Sequence, residues 1–366
     1  MIIRDIGILG MGLWEGEVIT NERFAKQALQ NAEVKDPYRG RRDERSVVRI
    51  AGMEFTPEKH ARTLAAIERS FKDPYRGTKR RRYFPADLKI SEAETDAARR
   101  ALADANISPS DVGAILVQSF ISDQLQPRNA PLIAHNLGIH HAPAWEVDSI
   151  CNSLLTHIIV GSHLIKSGLA KYILCTQSVA YSRVMDPNSA SAVLEGDMAA
   201  AFVLGPSPGT RISHSWRTDG RLHAAIRLGW GVPSGAPTRS YLMASQERLL
   251  IHFDPVLQQE VNHEIAEHAV VVCNEALSRF DAKLDDMDIF ISHQPMSWFA
   301  EFMEDVLGLR NGVTFSTFEE YGCVNSASLS ASLHDARKAG RVRKGTKLLM
   351  FGPAAGYQYG SVAMEW

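Results

Sequence analysis

The chain has 366 residues, with 40 Lys+Arg against 42 Asp+Glu and a formal net charge of -2. That balance excludes a general nucleic-acid binder, which needs a basic excess to neutralise phosphates. Hydrophobic residues at 45% and charged residues at 22% exclude bulk disorder, and no apolar run reaches the length of a membrane span.

The start, Met1-Ile2-Ile3-Arg4-Asp5, meets an acid at once and lacks the pattern of a signal peptide. Four scattered cysteines (Cys151, Cys175, Cys273, Cys323) form no CxxC pair. Together these features predict a protein of the reducing cytoplasm without a disulfide framework. The opening Ile2 to Gly10 reads as a buried strand ending in glycines. Gly10 and Gly12 do not make a dinucleotide loop, because Glu15 falls where the third glycine of GxGxxG is required.

Residues 36–82 are polar, basic and broken by Pro and Gly. Asp36-Pro37-Tyr38-Arg39-Gly40 is echoed by Asp73-Pro74-Tyr75-Arg76-Gly77, and Lys79-Arg80-Arg81-Arg82 follows. Between the two echoes, Thr56-Pro57-Glu58 is a helix start for Thr56 to Phe71. The stretch reads either as a solvated surface insertion or as a docking site for phosphates or an acidic partner.

From Ser91 onward helix and strand signals alternate. Ser91-Glu92-Ala93-Glu94 opens a helix, Ser108 to Asp111 turns the chain, and Val112 to Val117 is a short apolar strand. This alternation predicts an α/β fold with largely parallel strands. An internal repeat sharpens the picture. Ala101-Leu102, Asp111 and the next strand recur 175 residues later as Ala276-Leu277, Asp286 and the strand Met287 to Ile291. Leu137-Gly138-Ile139 is echoed by Leu307-Gly308-Leu309. After each echo come a cysteine-bearing segment, a helix, a glycine (Gly168, Gly340) and an apolar strand. Two like halves are therefore predicted, residues 1–205 and 206–366, with a pseudo-twofold axis between them. Ligands in such sheets bind beyond the carboxyl ends of the strands. The axis gathers the end of Val112 to Val117, Cys151, His293 and the segment Cys323 to Asn325.

Each of these residues has two readings. Cys151 precedes the almost wholly apolar Asn152 to Val160, the pattern of a buried central helix. There it is either a small core residue or a nucleophile whose thiolate the helix N-terminus favours. His293, after the strand ending at Ile291-Ser292, is either a surface loop histidine or a group that activates the thiol or hydrogen-bonds a thioester carbonyl. Asn325 in Tyr321 to Ser328 is an N-cap or a donor to an oxyanion, while Cys323 reads as small and buried. The small-residue loop Phe351 to Gly360, with Ala355 and Gly356, lets backbone N–H groups approach a ligand. No metal reading survives: His263 and His268 are five apart and do not share a helix face as HExxH requires. No GxSxG elbow is present either.

Taken in order, these pieces resemble the thiolase superfamily, in particular the β-ketoacyl-acyl-carrier-protein synthase III branch and its specialised-metabolism relatives. Ile19-Thr20-Asn21-Glu22 looks like the family's "VTNE", and Gly77 to Arg82 is similar to "GIRERR". Ala144 to Cys151 looks like "AFDVxAAC", and Glu195-Gly196-Asp197-Met198-Ala199-Ala200-Ala201 resembles "FGDGAGA". Ser292-His293-Gln294 matches "PHQ", Tyr321 to Ser328 resembles "YGNTSAAS", and Gly356 to Gly360 resembles "GFTWG". The resemblance implies a thiolase fold: duplicated βαβαβαββ halves in five α-β-α-β-α layers, usually a homodimer. It implies Cys151 as acyl acceptor, His293 and Asn325 as its partners, and an oxyanion hole from the N–H groups of Cys151 and Ala355 beside Gly356. Arg76, Arg80, Arg81 and Arg82 are implied to meet coenzyme A phosphates or the acidic face of an acyl carrier protein. No metal or redox cofactor is expected, and neither a nucleic acid nor a membrane is an expected partner.

The chain departs from the family pattern in places. A gapless match sets Cys323 where the family has its catalytic Asn, with Asn325 two positions on. Pro295 to Trp298 lacks the family's Arg, and Glu146 and Glu195 stand for the usual Asp and Phe. The implied activity is acyl loading on Cys151 followed by Claisen condensation with a second thioester. The alternatives are acyl transfer to an oxygen or nitrogen nucleophile, or a non-catalytic acyl-binding subunit. Phe120, Leu125 and Met198 are candidate pocket residues.

Overall fold

A computed structural model describes residues 2–28, 48–50, 53–185, 191–230 and 249–366. The first Asp-Pro-Tyr-Arg-Gly echo, at 36–40, lies outside the described residues. One eight-stranded sheet organises the chain. Its strands are β1 (Ile3–Glu15), β2 (Val112–Ser119), β3 (Ala144–Glu146), β4 (Tyr172–Ala180), β5 (Asp197–Thr218), β6 (Ile289–Ser292), β7 (Lys347–Ala354) and β8 (Gln358–Glu365). They lie in the order β6-β7-β8-β5-β4-β2-β3, with β1 added along β5. The expectation of largely parallel strands is corrected. Only β2–β3, β2–β4 and β6–β7 pair in parallel, whereas β1–β5, β4–β5, β5–β8 and β7–β8 are antiparallel. Two of the antiparallel pairs, β4–β5 and β7–β8, join consecutive strands with no α-helix between them among the described residues, whereas β1–β5 and β5–β8 bring together strands distant in the chain.

The main helices are α1 (Ile90–Ala105), α2 (Ala130–Asn136), α3 (Ser153–Lys166), α4 (Pro255–Phe280), α5 (Phe299–Leu307) and α6 (Ser328–Lys338). Three cores show how they layer. Leu154, Ile158, Leu329 and Leu333 of α3 and α6 are buried together with Ile173, Leu204, Ile291 and Met350 of both halves. These two helices therefore form the central layer. On one outer side α1 and α2 cover Val117 and Leu174. On the other, α4 and α5 cover Leu349 and Phe351. Helix α3 is buried as its apolarity predicts, and its buried imidazole, His157, is fully satisfied. His157 bonds the Val147 carbonyl through Nε2 (2.7 Å) and Gln177 through Nδ1 (2.7 Å), and Gln177 in turn accepts from Ser330 Oγ of α6 (2.9 Å). Burial holds this imidazole neutral, with its pKa lowered to about 4.

The repeat read from the sequence has a backbone counterpart. Helices α1 and α4 both end on a left-handed residue, Asn106 (φ 53°) and Asp281 (φ 59°). Each is followed by a 3-10 turn (Pro109–Asp111, Leu284–Asp286) and then by a strand. These pairs keep the 175-residue spacing. So do Ile150 (φ 50°) and Asn325 (φ 40°), which open the turns before α3 and α6. The boundary near Gly205 falls inside β5, a continuous 22-residue strand, so the halves share a strand instead of a linker.

Two further expectations shift. The first strand does not stop at Gly10 but runs on to Glu15. A Cβ at Gly10 would strike the backbone of Ala105, and one at Gly12 the carbonyl of Ala97. These glycines therefore serve the close packing of α1 on β1. The helix expected from Thr56 begins at Ala61, because Thr56 to Lys59 form a turn closed by His60 N–H on the Thr56 carbonyl (2.8 Å). Replacing Gly10 by Ala is expected to destabilise the fold by about 1–3 kcal/mol through overpacking, read from urea unfolding midpoints. An unchanged midpoint would show that α1 can withdraw without cost.

Candidate active site

Cys151 sits in the 3-10 turn Ile150–Asn152 at the head of α3, 7% exposed. Its Sγ donates to Asn325 Oδ1 at 3.3 Å. Asn325 heads the equivalent turn before α6, and its Nδ2 donates to the Tyr181 hydroxyl. Both turns begin with a non-glycine residue at positive φ, a conformation that costs energy and persists only where its surroundings enforce it. Part of the enforcement is visible. Cys323 N–H bonds the Leu194 carbonyl (2.6 Å) and Gly196 N–H bonds the Cys323 carbonyl (3.0 Å), so 194–196 and 322–324 run side by side. Gly322 is required there, at φ 68° and with no room for a Cβ against the Leu194 carbonyl. This pairing turns Cys323 toward Glu195, and Asn325 is the residue that reaches Cys151.

His293 follows β6 directly. Its N–H bonds the Phe351 carbonyl (3.0 Å), and its imidazole is 5% exposed with Nδ1 lacking a partner. The neighbouring Gln294 is tied down through its side chain to the Phe315 carbonyl, Ser316 Oγ and Thr317 N–H, which holds the strand exit in place. Burial depresses the His293 pKa to about 4, so the ring is neutral at physiological pH.

Cys151, His293 and Asn325 open on one cavity of about 310 Å³. Ala355 lines it too, and its backbone N–H hydrogen-bonds the Cys151 sulfur. Gly356, at φ 87°, makes the turn between β7 and β8 but is not among the lining residues. The far walls are apolar: Ile226, Leu228, Ile251, Val261 and Ile265. Of the candidate pocket residues Phe120 lines the cavity, whereas Leu125 is 65% exposed and Met198 is packed in a core. Sequence reasoning missed Tyr181 as a site residue. It noted Glu195 only as a departure from a pattern, and Cys323 as a small buried residue in the segment gathered at the centre.

The thiol does not rest as the thiolate expected at a helix N-terminus. Burial is the dominant effect and pushes its pKa up to about 12. Hydrogen bonds from Ala355 N–H and its own N–H pull the other way, and the nearby Glu195 and Asp148 push it further up. The stretch from Arg76 to Arg82 is also divided by the structure. Residues Arg80–Tyr83 form a strand against Glu17–Thr20. Arg81 is fully buried, bonded to Asn21 and the Val193 carbonyl, and stacked on Phe24. Arg82 is buried between Glu15, the Glu320 carbonyl and the Tyr321 ring. Neither guanidinium is placed to meet a phosphate in solvent. Arg80 is exposed and pairs with Glu320 (3.3 Å), and Arg76 is half-buried over Phe71. Among the described residues no cluster of His, Cys, Asp and Glu is arranged to hold a metal, and no helix is long and apolar enough to cross a membrane.

A layered α/β fold with paired helix heads meeting at a buried cysteine is thiolase-like, and the solved structures agree on the fold. The 3-oxoacyl-[acyl-carrier-protein] synthase III of Aquifex aeolicus superposes with a TM-score of 0.76 over 99% of this chain and 100% of its own, at 21% identity. OleA of Xanthomonas campestris superposes with a TM-score of 0.72 over 100% of this chain and 98% of its own, at 18% identity. At the sequence level, residues 145–220 match the family 3-oxoacyl-[acyl-carrier-protein (ACP)] synthase III, and residues 277–366 match its C-terminal family. The chain is 28% identical to the β-ketoacyl-[acyl-carrier-protein] synthase III of Bacillus pumilus, over 79% of this chain and 88% of that protein. It is 29% identical to synthase III 3 of Streptomyces coelicolor, over 75% of this chain and 82% of that protein. The chain thus has a thiolase-like fold, and two of its segments, residues 145–220 and 277–366, match the synthase III families.

The protonated thiol has a measurable consequence. Alkylation of Cys151 by iodoacetamide, followed by peptide mass spectrometry, is expected to be slow at pH 7 and to rise about tenfold per pH unit between pH 8 and 10, as the thiolate fraction grows. A rate already level at pH 7 would show a thiolate at rest.

Proposed function

We propose that the protein condenses two acyl thioesters, loading the first acyl group on Cys151 and joining it to the α-carbon of the second. The observation that carries this reading is the 3.3 Å contact between Cys151 Sγ and the Asn325 amide, in a cavity that His293 and Ala355 also line. An acyl chain lies along the apolar wall. The Cys151 sulfur attacks the thioester carbonyl, and the N–H groups of Cys151 and Ala355 receive the negative oxygen of the tetrahedral intermediate. The thiol proton travels by way of the His293 imidazole to the departing thiol. In the second half-reaction the incoming thioester reacts as its enolate. The neutral His293 ring and the second Nδ2–H of Asn325 hold the enolate oxygen.

The likeness to synthase III supports coenzyme A or acyl-carrier-protein thioesters as substrates, and a homodimeric assembly in the cytoplasm. The exposed Arg80 and half-buried Arg76 remain candidates for contact with their phosphates or with an acidic carrier. The reach of Asn325 to the sulfur supports condensation over simple acyl transfer, because a donor for an enolate oxygen is of use only to the former.

Incubation with acyl-coenzyme A is expected to give an acyl adduct visible by intact mass, and Cys151→Ala is expected to abolish it. Asn325→Ala is expected to retain the adduct while lowering condensation about 10²–10³-fold, the usual cost of removing one oxyanion donor. Absence of an adduct would overturn the reading in favour of a non-catalytic acyl-binding subunit.

A further inference from the structure

Glu195 stands apart from the groups used above. Its carboxyl is 9% exposed and lines the same cavity as Cys151, and its Oε2 has no hydrogen-bond partner. An unpartnered buried carboxyl oxygen is costly and calls for an explanation. The backbone pairing with Cys323 fixes its place, and the Cys323 thiol lies against the carboxyl. Cys323 is two residues from the Asn325 that touches Cys151, which puts Glu195 at the reacting end of the cavity. A carboxylated donor loses carbon dioxide readily where its carboxylate is surrounded by apolar groups. Another carboxyl in that space either repels the donor or hydrogen-bonds it, and both work against decarboxylation.

We propose that Glu195 is the base of the second half-reaction, and that the second substrate is an uncarboxylated acyl thioester activated by loss of an α-proton. This rests on the condensing function proposed above and names its second substrate class. The Glu195 carboxylate takes a proton from the α-carbon: the C–H bond breaks, an O–H bond forms, and the electron pair passes to the enolate oxygen held by Asn325 and His293. The α-carbon attacks the acyl-Cys151 carbonyl and a C–C bond forms. Collapse breaks the C–S bond, and the Cys151 thiolate recovers the proton from Glu195. Both groups end as they began, and the products are a β-ketoacyl thioester and the free enzyme. Burial raises the Glu195 pKa to about 8, so the carboxyl gains and gives up a proton near working pH.

The test uses the full-length protein, a saturated straight-chain acyl-coenzyme A as sole substrate, and Glu195→Gln, which keeps the side chain's size. The wild type is expected to yield the β-ketoacyl thioester with release of coenzyme A and without carbon dioxide. The variant is expected to form the Cys151 adduct at the wild-type rate but to lose product formation by about 10²–10⁴-fold, the range of general-base catalysis. The wild-type rate should rise with pH to a plateau above about 8, and this limb should vanish in the variant. Unaltered thermal melting of the variant excludes misfolding as the cause. Product from malonyl-coenzyme A with carbon dioxide release, and none from the saturated thioester, would overturn the proposal while leaving the condensing function intact. So would a variant as active as the wild type. A protein that forms no adduct at all would sink the condensing function itself.

Discussion

Ile150 and Asn325 adopt left-handed backbone at the heads of the two central helices, and the meeting of those heads sets Asn325 on the Cys151 sulfur. Such residues carry a cost of about 1–3 kcal/mol each, which the packed centre of the fold must offset. Leu154, Leu155 and Ile158 on one helix and Leu329 and Leu333 on the other bury into the same core and do so. The reactive sulfur and the amide that touches it therefore stand on rigid supports, with little freedom to separate.

The second governing fact is dryness. The cysteine, the imidazole and Glu195 are all driven toward their uncharged forms by the same desolvation. A low-dielectric cavity strengthens each hydrogen bond made to a developing oxyanion, and it penalises any resting charge. Proton movements inside it must consequently be local, passed between neighbouring groups without a fixed ion. The basic stretch shows the contrast, since the buried Arg82 is held by the Glu15 carboxylate, the Glu320 carbonyl and the Tyr321 ring.

Much of this was legible in the sequence because a constant spacing leaves a regular trace. The 175-residue spacing located the two strands, the two helix ends and the convergence of Cys151 with His293. It also contained the resolution of the displaced asparagine: Ile150 and Asn325 keep the same spacing, so the turn opened by Asn325 is the counterpart of the turn that carries Cys151. What was not legible depends on contacts between distant segments. The pairing of Glu195 with Cys323 needs backbone hydrogen bonds that no local pattern announces. The inward turn of Arg81 needs a partner strand, Glu17–Thr20, more than sixty residues upstream. The raised thiol pKa reflects burial in three dimensions, which outweighs the helix end that local reading emphasised.

The shared strand Asp197–Thr218 has a further consequence. Its first part pairs with β4 and β1, and its last part with β8, so neither half completes its sheet without it. The strand therefore binds the two halves into one continuous sheet. Severing the chain in the middle of this strand would leave both fragments with open hydrogen-bonding edges, prone to associate with whatever extended chain they meet.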